Sequence, residues 1–424
     1  MLSVITPHYS TTNPYIAECY ESLKRQTVQD WEWVVVLNNG GELSEEIRSD
    51  KRVLVVEHSS SKIGALKQFG FSLAQGDILV ELDADDILTP DCLEELLSAF
   101  EDKNVSFVHS NSARFEDKTW KPCEFGTYWG WKRRPFIYED HELVEMLSFE
   151  ATPHAMRMIY WCPNHVRSWR ASDYKEIGGH ASELSVIDDY DLLCRTYLHG
   201  REMKLIDKCL YLYRKYPTQT VRLHNTAIQA TNKHLYSRYI IPMAQEWCRR
   251  EGLPKIDLGG AISKPRGYIS LDTHDADVVC DLREGIPYDD NSVGIVRAYD
   301  LLEHLPDAVF SMNEIWRVLA PGGWLLASIP STDGRGAFQD PTHVSFWNEN
   351  SLEYYTNPKF QRYVPAIKAR FQVSRVMTWF PSEWHKKRKI SYVDVQLMAC
   401  KDGFRAPGEC LWGIEQGIQK EKVT

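Results

Sequence analysis

The chain has 424 residues, enough for two or three domains of ~150 residues each. Hydrophobic residues make up 43% and charged residues 25%, a balance that excludes fibrous, collagenous and wholly disordered proteins. The formal net charge of −10 argues against a broad nucleic-acid-binding surface, so we do not expect a nucleic-acid partner.

Three features of the sequence bear on where the protein works. No apolar run reaches the ~20 residues that cross a bilayer, and the start MLSVITPHYS lacks the basic and apolar parts of a signal peptide. The ten cysteines include no CxxC pair, which is typical of reduced thiols in a cytosolic protein. We therefore expect a cytoplasmic protein without a transmembrane segment, and leave peripheral membrane contact open.

Strand and helix signals alternate over the first hundred residues. Asn13-Pro14 and Thr89-Pro90 each begin a predicted helix. Short apolar runs predict strands at 2–6, 31–37, 52–57, 77–82 and 105–110. This alternation predicts an α/β fold, with a parallel sheet that carries helices on both faces.

An aromatic stretch follows, with Tyr128, Trp129 and Trp131 ahead of a basic run at 132–134. The glycines and basic residues around it favour an exposed loop that stacks against sugar rings, and core packing of the aromatic rings is the alternative. Further on, apolar residues at helical spacing predict a helix that ends at Gly252 and Pro254.

A second α/β pattern begins at KIDLGG, residues 255–260. Strands are predicted at 268–271, 277–280, 293–298 and 324–329, with a helix near 308–319. The predicted organisation is a first domain over 1–222, a helical linker over 223–252, a second domain over 253–400 and a tail over 401–424.

The sharpest motif is ELDADD at 81–86, directly after an apolar strand. Asp83, Asp85 and Asp86 would lie at the carboxyl end of a parallel strand, where open α/β sheets bind their ligands. A divalent cation relieves the repulsion between such carboxylates while it bridges substrate phosphates. The alternative is a solvated acidic turn ahead of the helix at Thr89.

The order of ITPHY (5–9), NNGG (38–41), DADD, IGGH (177–180) and IDDYDLLCR (187–195) resembles family 2 glycosyltransferases of the GT-A fold, over residues 1–222. The resemblance implies transfer of a sugar from a nucleotide-diphosphate donor, with a UDP-sugar as the leading donor, to a glycan or glycolipid acceptor. It also implies Mn²⁺ or Mg²⁺, held by Asp83 and Asp85. The residues that it places against the nucleotide sugar are Thr6, Pro7, His8, Tyr9, Asn38, Asn39, Lys62, Gly64, Lys67, Asp83, Ala84 and Asp85.

The acidic pair at the start of IDDYDLLCR is the second catalytic element that the resemblance implies. A carboxylate there acts as the general base that deprotonates the acceptor hydroxyl. The family usually has Glu-Asp at this point and this chain has Asp188-Asp189, so we assign the base to Asp189. Asp188 and Asp191 could instead be helix carboxylates that the dipole stabilises.

Two departures from the family pattern affect the donor site. Asn38 and Asn39 stand where many relatives carry an aspartate that pairs with uracil, so the base preference is open. Some relatives place a metal-binding histidine after Tyr-Arg, but Lys215 follows here. His224 lies nearby and could be a ligand or a packing residue. His154 and His165 are interpreted as structural.

The second domain resembles class I S-adenosylmethionine-dependent methyltransferases over about residues 250–350. The resemblance is carried by IDLGGA (256–261), AYDLLEHL (298–305) and RVLAPGGWLLASIP (317–330), and by acidic residues at predicted strand ends. It implies contacts with S-adenosylmethionine, from the methionine moiety through the ribose and adenine to the reaction centre, at Asp257, Gly259, Gly260, Asp272, Asp281, Leu282, Asp300 and His304.

The segment from Gly260 to Asp272 is unusually short for this family. It spans twelve positions, against the ~20 usual between a glycine turn and its ribose acid. The first helix should therefore be very short, and the domain could have lost its cofactor. Further along, His343 is a candidate catalytic base, or a structural histidine held by Asp340. The basic run HKKRK at 385–389 is a solvated face or a contact for an anionic carrier.

Three functions follow from these patterns. The leading hypothesis is a bifunctional enzyme of polysaccharide biosynthesis that adds a sugar to a glycan and methylates a glycan hydroxyl. The second keeps an active glycosyltransferase beside an inactive methyltransferase-like domain. The third is a non-catalytic carbohydrate-binding scaffold, and the joint presence of Asp83, Asp85 and Asp189 speaks against it.

Overall fold

We describe the protein from a computed structural model, over residues 1–125, 130–157, 162–217, 219, 225–261 and 264–402. The chain divides into two compact units, Met1–Met243 and Ala244–Thr424. The division falls inside the segment 223–252 that the sequence interprets as a linker. Over the described residues, no helix is both long enough and apolar enough to cross a membrane.

The first unit is an α/β domain. Its described strands are β1 (Leu2–His8), β2 (Trp31–Leu37), β3 (Val53–Glu57), β4 (Ile78–Glu81), β5 (Ile87–Leu88), β6 (Val105–Glu116), β7 (Lys132–Tyr138), β8 (His141–Leu147), β9 (Arg167–Arg170) and β10 (Glu202–Lys215). Its described helices are α1 (Ile16–Lys24), α2 (Glu45–Ser49), α3 (Ile63–Leu73), α4 (Cys92–Ala99), α5 (Pro153–Met156), α6 (Ala171–Ile177) and α7 (Asp188–His199), and α8 (Asn225–Glu251) runs on across the division between the units.

These strands form one mixed sheet in the order β3-β2-β1-β4-β9-β6-β10-β5, and the β7–β8 hairpin pairs with β6. β1 to β4 are parallel, as the alternating pattern predicts. The sheet becomes mixed beyond β4, because β9, which the sequence did not predict, lies antiparallel between β4 and β6. The sequence of β9, RSWR, has no apolar run to mark it as a strand.

Continuous apolar runs build the core of the first unit. β2 is buried along nearly its whole length, as a strand with helices on both faces must be. The fully buried Trp33 packs with the apolar side chains of β1 and β4, and its indole N–H donates a hydrogen bond to the Thr6 hydroxyl at 2.8 Å. This packing fixes the carboxyl ends of β1, β2 and β4 at one edge of the sheet.

The second unit has its own sheet and core. Its described strands are β11 (Lys255–Leu258), β12 (Ile269–Asp272), β13 (Val278–Val279), β14 (Val293–Tyr299), β15 (Leu319–Pro330), β16 (Phe371–Trp379) and β17 (Tyr392–Ala399). Its further described helices are α9 (Ala308–Val318), α10 (Gly336–Gln339), α11 (Glu353–Thr356), α12 (Pro358–Gln361) and α13 (Glu383–Arg388). The strand order is β13-β12-β11-β14-β15-β17-β16, and β17 runs antiparallel to both its neighbours.

The connection from β11 to β12 departs from the usual strand–helix–strand unit. The sequence predicts a very short helix there, but residues 259–261 and 264–268 contain none. The two strands still pair in parallel. The turn after β11 is therefore joined to β12 by irregular chain over the part that the structure describes.

Candidate active sites

The three aspartates after β4 have different surroundings. Asp86 is buried, and its carboxylate accepts hydrogen bonds from the Tyr211 hydroxyl and from the backbone N–H of Arg214, both at 2.8 Å. Asp83 and Asp85 keep part of their surface exposed, and the Asp83 side chain is 36% exposed. Asp86 therefore ties β10 to this loop, while Asp83 and Asp85 are the carboxylates that a ligand can reach.

The chemistry of Asp83 and Asp85 fits a divalent cation. Desolvation raises the pKa of Asp83 to about 7, with further upward contributions from the carboxylates of Glu81 and Asp85. Desolvation also raises the pKa of Asp85, against a hydrogen bond from Tyr216. Two hard oxygen donors whose negative charges are unfavourable in the unliganded site are suited to Mn²⁺ or Mg²⁺.

Two buried cations, Lys67 and Arg167, interact electrostatically with Asp83. Lys67 on α3 forms an ion pair with Glu81 of β4, and its Nζ lies 3.5 Å from the Asp188 carboxylate. Arg167 of β9 is 2% exposed, and its guanidinium donates a hydrogen bond to the Asp189 carboxylate at 2.6 Å. The two cations join β4, β9 and the first turn of α7 into one charged network.

Asp188 and Asp189 are neighbours in sequence but differ in environment. Asp188 is 3% exposed and faces Lys67 and His180, and its burial raises its pKa to about 6. The Asp189 side chain is 23% exposed. Desolvation acts to raise the pKa of Asp189, but the cations of Arg167 and Lys67 hold it below the usual value. Asp189 is thus the more exposed member of the pair and the one whose pKa is lowered. Its assignment as the base stays a prediction.

Gly64 explains how α3 comes so close to the loop before α7. A Cβ at this position would collide with the backbone carbonyl of Ala181, and the Gly64 N–H donates a hydrogen bond to the Leu184 carbonyl at 3.1 Å. Only glycine permits this close approach of α3 to the loop. The approach in turn places Lys67 of α3 beside Asp188.

Several residues that the sequence assigns to the nucleotide sugar are engaged inside the fold. His8 is buried, and its ring nitrogens lie 2.8 Å from the Thr12 hydroxyl and 2.9 Å from the Glu42 carbonyl. Others that share this buried environment are Thr6, Pro7, Gly64, Lys67 and Ala84. The predicted contacts of these residues with the donor stay predictions.

The remaining predicted donor contacts differ in exposure. Tyr9 is partly buried. Desolvation raises the pKa of its hydroxyl, while the charge of Lys67 acts to lower it and that of Asp83 to raise it. Asn38 is buried and donates to the Ser60 carbonyl at 2.7 Å, while its side-chain oxygen has no hydrogen-bond partner among the described residues. Lys62 and Asn39 are exposed.

Sequence reasoning missed Glu81 and Arg167, the buried residues that form ion pairs with Lys67 and Asp189. The buried Glu81 ends an apolar strand, and a carboxylate inside such a strand signals a buried cation partner. Arg167 could have been found by its place in RSWR only once β9 was known to be a strand. His165, interpreted as structural, is buried and stacks on Tyr211 at 4.5 Å, with its Nε2 4.0 Å from the Asp83 carboxylate.

The interpretation of the aromatic segment as an exposed loop is wrong for Trp131. This side chain is 4% exposed and packs against Phe125 and Phe149, each at a ring-centroid distance of 4.7 Å. The neighbouring Tyr128 and Trp129, and also His224, lie outside the described residues. Core packing, the alternative interpretation, describes Trp131.

In the second unit, the turn after β11 carries the predicted cofactor contacts. Asp257 is fully buried; one carboxylate oxygen pairs with Arg297 at 2.7 Å, and the other has no partner among the described residues. A Cβ at Gly260 would lie 2.6 Å from that second oxygen, and Gly259 has a φ of +73°. Both positions therefore require glycine.

Asp272 lies at the end of β12, beside this turn. Its carboxylate accepts hydrogen bonds from the backbone N–H of Ala261 at 3.3 Å and of Thr273 at 2.6 Å. The side chain keeps part of its surface exposed, so it can also accept from a ligand. A glycine turn beside a strand-end carboxylate fits the ribose end of S-adenosylmethionine.

The two residues predicted to contact adenine, Asp281 and Leu282, are neighbours in the chain. Asp281 pairs with the Arg283 guanidinium at 2.5 Å, and this hydrogen bond lowers the pKa of Asp281 to about 2. Leu282 is buried in the core of the second unit. The observed contact of Asp281 is thus with a neighbouring cation, and its contact with adenine stays a prediction.

The predicted reaction-centre residues do come together. A pocket of about 260 Å³ at the carboxyl ends of β14 and β15 is lined by Asp300, His304, His343 and Tyr392, together with Glu303, which sequence reasoning missed. His343 is held by Asp340 through its backbone, since its N–H donates to the Asp340 carbonyl at 3.3 Å, but its ring has another partner. His343 Nδ1 lies 2.9 Å from the Ala337 carbonyl, whereas Asp340 accepts from Thr342.

Comparison with known proteins finds a family match within each unit. Residues 3–161 match the model for glycosyl transferase family 2, and residues 261–327 match a methyltransferase domain model. The glycosyltransferase GlyG of Streptococcus pneumoniae serotype 4 is 26% identical over 222 residues, which is 51% of this chain and 71% of GlyG. Chondroitin synthase of Escherichia coli is 28% identical over 218 residues, 50% of this chain and 28% of the synthase.

Other similar proteins share shorter or more distant matches. The O-antigen biosynthesis protein RfbC of Myxococcus xanthus is 30% identical over 107 residues, 24% of this chain and 8% of RfbC. Among solved structures, S. aureus TarS 1–349 in complex with UDP-GlcNAc is 18% identical with a TM-score of 0.40, and the match spans 51% of this chain and 59% of that one. The family matches show that the chain carries an N-terminal glycosyl transferase family 2 domain followed by a methyltransferase domain.

Proposed function

We propose that the N-terminal domain transfers a sugar from a nucleotide-diphosphate donor to a hydroxyl of a glycan or glycolipid acceptor. The observation that carries this proposal is the charged network of Lys67, Arg167, Glu81, Asp188 and Asp189. The partly exposed Asp83 interacts electrostatically with Lys67, Arg167 and Glu81 of this network, and also with Asp85. A non-catalytic sugar-binding scaffold has no need for such a network of charges.

The residues divide the proposed chemistry between them. Asp83 and Asp85 would hold Mn²⁺ or Mg²⁺, which when bound offsets the negative charge of the departing diphosphate. Asp189 removes the proton of the acceptor hydroxyl as the new glycosidic bond forms. Arg167 holds Asp189 in one direction through their hydrogen bond and lowers its pKa.

UDP is our leading choice of donor nucleotide, and the supporting residue is Asn38. Its side-chain oxygen lacks a hydrogen-bond partner among the described residues, and the N–H of a uracil ring requires such an acceptor. The oxygen is buried, so the adjoining turn at Asn39 would have to move for the base to reach it. A cytoplasmic location of the protein remains a prediction.

We further propose that the second domain uses S-adenosylmethionine to methylate a glycan hydroxyl. The glycine turn after β11, the carboxylate of Asp272 and the pocket around His343 support this activity. The competing proposal, a glycosyltransferase with an inactive second domain, is favoured by one observation: the described part of the first crossover contains no helix.

One screen separates these possibilities. Thermal unfolding of the full chain is followed with UDP, GDP and dTDP, each with and without Mn²⁺, and separately with S-adenosylhomocysteine. We expect stabilisation by UDP only when Mn²⁺ is present, and an independent stabilisation by S-adenosylhomocysteine. No shift with any nucleotide would contradict the glycosyltransferase proposal, and no shift with S-adenosylhomocysteine would favour the inactive second domain.

A further inference from the structure

We propose a binding site for a divalent transition metal in the methyltransferase domain, formed by Glu303, His304 and His343. These residues come from two segments, the turn after β14 and the loop after α10. Each can offer one ligand atom, and the three atoms all lie within 4.8 Å of one another. The site is separate from the pair Asp83 and Asp85, which belongs to the first unit.

The environment of Glu303 is the first observation that points to a cation. The residue is 2% exposed and lines the same pocket as the two histidines. Neither of its carboxylate oxygens has a hydrogen-bond partner on another residue within the described chain, and no lysine or arginine of that part of the chain pairs with it. A buried carboxylate in this state is costly unless a cation accompanies it.

The orientation of the two histidine rings is a second, independent observation. Nδ1 of His304 lies 3.2 Å from the Thr342 carbonyl, and Nδ1 of His343 lies 2.9 Å from the Ala337 carbonyl. A carbonyl oxygen only accepts hydrogen bonds, and the Thr342 hydroxyl, 3.1 Å from Nδ1 of His304, donates its own proton to Asp340. These partners favour a proton on each Nδ1 and a lone pair on each Nε2. This is the tautomer in which histidine binds metals, held by the kind of outer partner that metal sites use.

The ligand set indicates the class of metal. Two imidazole nitrogens and one carboxylate suit Zn²⁺, Fe²⁺ or Co²⁺, whereas the all-oxygen pair Asp83 and Asp85 suits Mg²⁺ or Mn²⁺. Three protein ligands leave coordination positions open. Since the three residues line a pocket with Asp300 and Tyr392, the open positions would face whatever molecule occupies that pocket.

The test titrates the full chain with Co²⁺, and follows binding by calorimetry and by visible absorption, which reports nitrogen ligands. The titrations use an Asp85→Asn background, so that the oxygen-only site does not contribute. We expect Glu303→Gln and His343→Ala each to weaken Co²⁺ binding ~100-fold or more, since loss of even an outer-shell partner costs ~10–100-fold. Glu284→Gln and His274→Ala, at exposed positions of the same unit, serve as matched controls and should bind Co²⁺ as the parent does.

Two results would overturn the proposal: no Co²⁺ binding by the parent chain, or the same affinity and absorption in both variants. If Glu303→Gln fails to fold, as its thermal transition will show, His343→Ala and His304→Ala on the more exposed side of the pocket decide the question. Titration with S-adenosylhomocysteine is run in parallel, so that a domain without its cofactor is told apart from a domain without a metal.

Discussion

At the scale of single residues, Asp189 joins two properties that a general base needs. Its side chain is accessible, at 23% exposure, and the 2.6 Å hydrogen bond from Arg167 holds it in one direction. The charge of Arg167 and this hydrogen bond both lower the pKa of Asp189. The carboxylate is therefore a weaker base, but one that is held in a fixed position. Asp188, at 3% exposure beside Lys67, is less accessible to an acceptor.

Replacing Asp189 tests the assignment of the base. We expect Asp189→Asn to lower turnover at least ~100-fold, the scale of a lost general base, while calorimetry finds the donor affinity nearly unchanged. Asp140→Asn, an exposed aspartate of the same unit, should leave both quantities alone. If donor affinity collapses instead, Asp189 is structural, and Asp188 or Asp191 becomes the candidate base.

Replacing Arg167 tests how the base is held. In Arg167→Gln the cation that depresses the pKa of Asp189 is lost, so that pKa rises and the acid limb of the pH–rate profile moves to higher pH. The stability that a depressed carboxylate contributes is present above its unfolded pKa of ~3.9 and is lost as pH falls through the folded pKa.

We therefore expect Arg167→Gln to lose ~3–5 kcal/mol of stability at neutral pH, the cost of breaking a buried ion pair, measured by denaturant unfolding. The variant Arg48→Gln, at an exposed position, is the control. An unshifted acid limb in a folded Arg167→Gln protein would show that Asp189 does not limit turnover.

At the scale of elements, the approach of α3 to the loop before α7 decides whether the charged network can form. A methyl group at Gly64 meets the Ala181 carbonyl, so Gly64→Ala must push the helix away and separate Lys67 from Asp188. We expect a loss of ~1–3 kcal/mol, as for other overpacked sites, together with reduced sugar transfer. Chemical denaturation measures the loss of stability. As a control, Ser72→Ala on the exposed side of α3 should change neither stability nor sugar transfer. Wild-type stability in Gly64→Ala would disprove this account of the glycine.

The same elements show what the sequence could and could not predict. β1 to β4 are apolar runs, and the acidic residues that follow β4 are visible because three aspartates stand within four positions. β9 could not be predicted, because its residues are Arg, Ser, Trp and Arg, and its place between β4 and β6 depends on partners distant in sequence. The network of Glu81 and Arg167 was missed for that reason, and Trp131 was misplaced because an aromatic cluster has the same composition in a loop and in a core.

At the scale of the whole molecule, the two domains have separate hydrophobic cores, one built from residues up to Tyr211 and the other from residues between Ile256 and Ala399. Changes in one site should therefore leave the other working. The position of Asp272 at the end of β12, beside the turn after β11, makes it the residue on which to test this.

We expect Asp272→Ala to weaken binding of S-adenosylmethionine by ~1.5–3 kcal/mol for each hydrogen bond lost to the charged group, while sugar transfer is unchanged. Because the carboxylate also holds the Ala261 N–H, Asp272→Asn is included, and should recover part of the affinity. Asp275→Ala, at an exposed neighbouring position, is the control. Wild-type affinity in Asp272→Ala, or the loss of sugar transfer, would contradict this prediction.

The central claim is that Asp83 and Asp85 hold a metal ion through which the N-terminal domain binds its donor. It is tested most directly by calorimetric titration of the full chain with UDP, in Mn²⁺ and in excess chelator, for the wild type and for Asp85→Ala. We expect the wild type to bind UDP in Mn²⁺, and expect chelator and Asp85→Ala each to weaken that binding by ~10–100-fold or more. Equal UDP binding under all these conditions, or none by the wild type, would contradict the account.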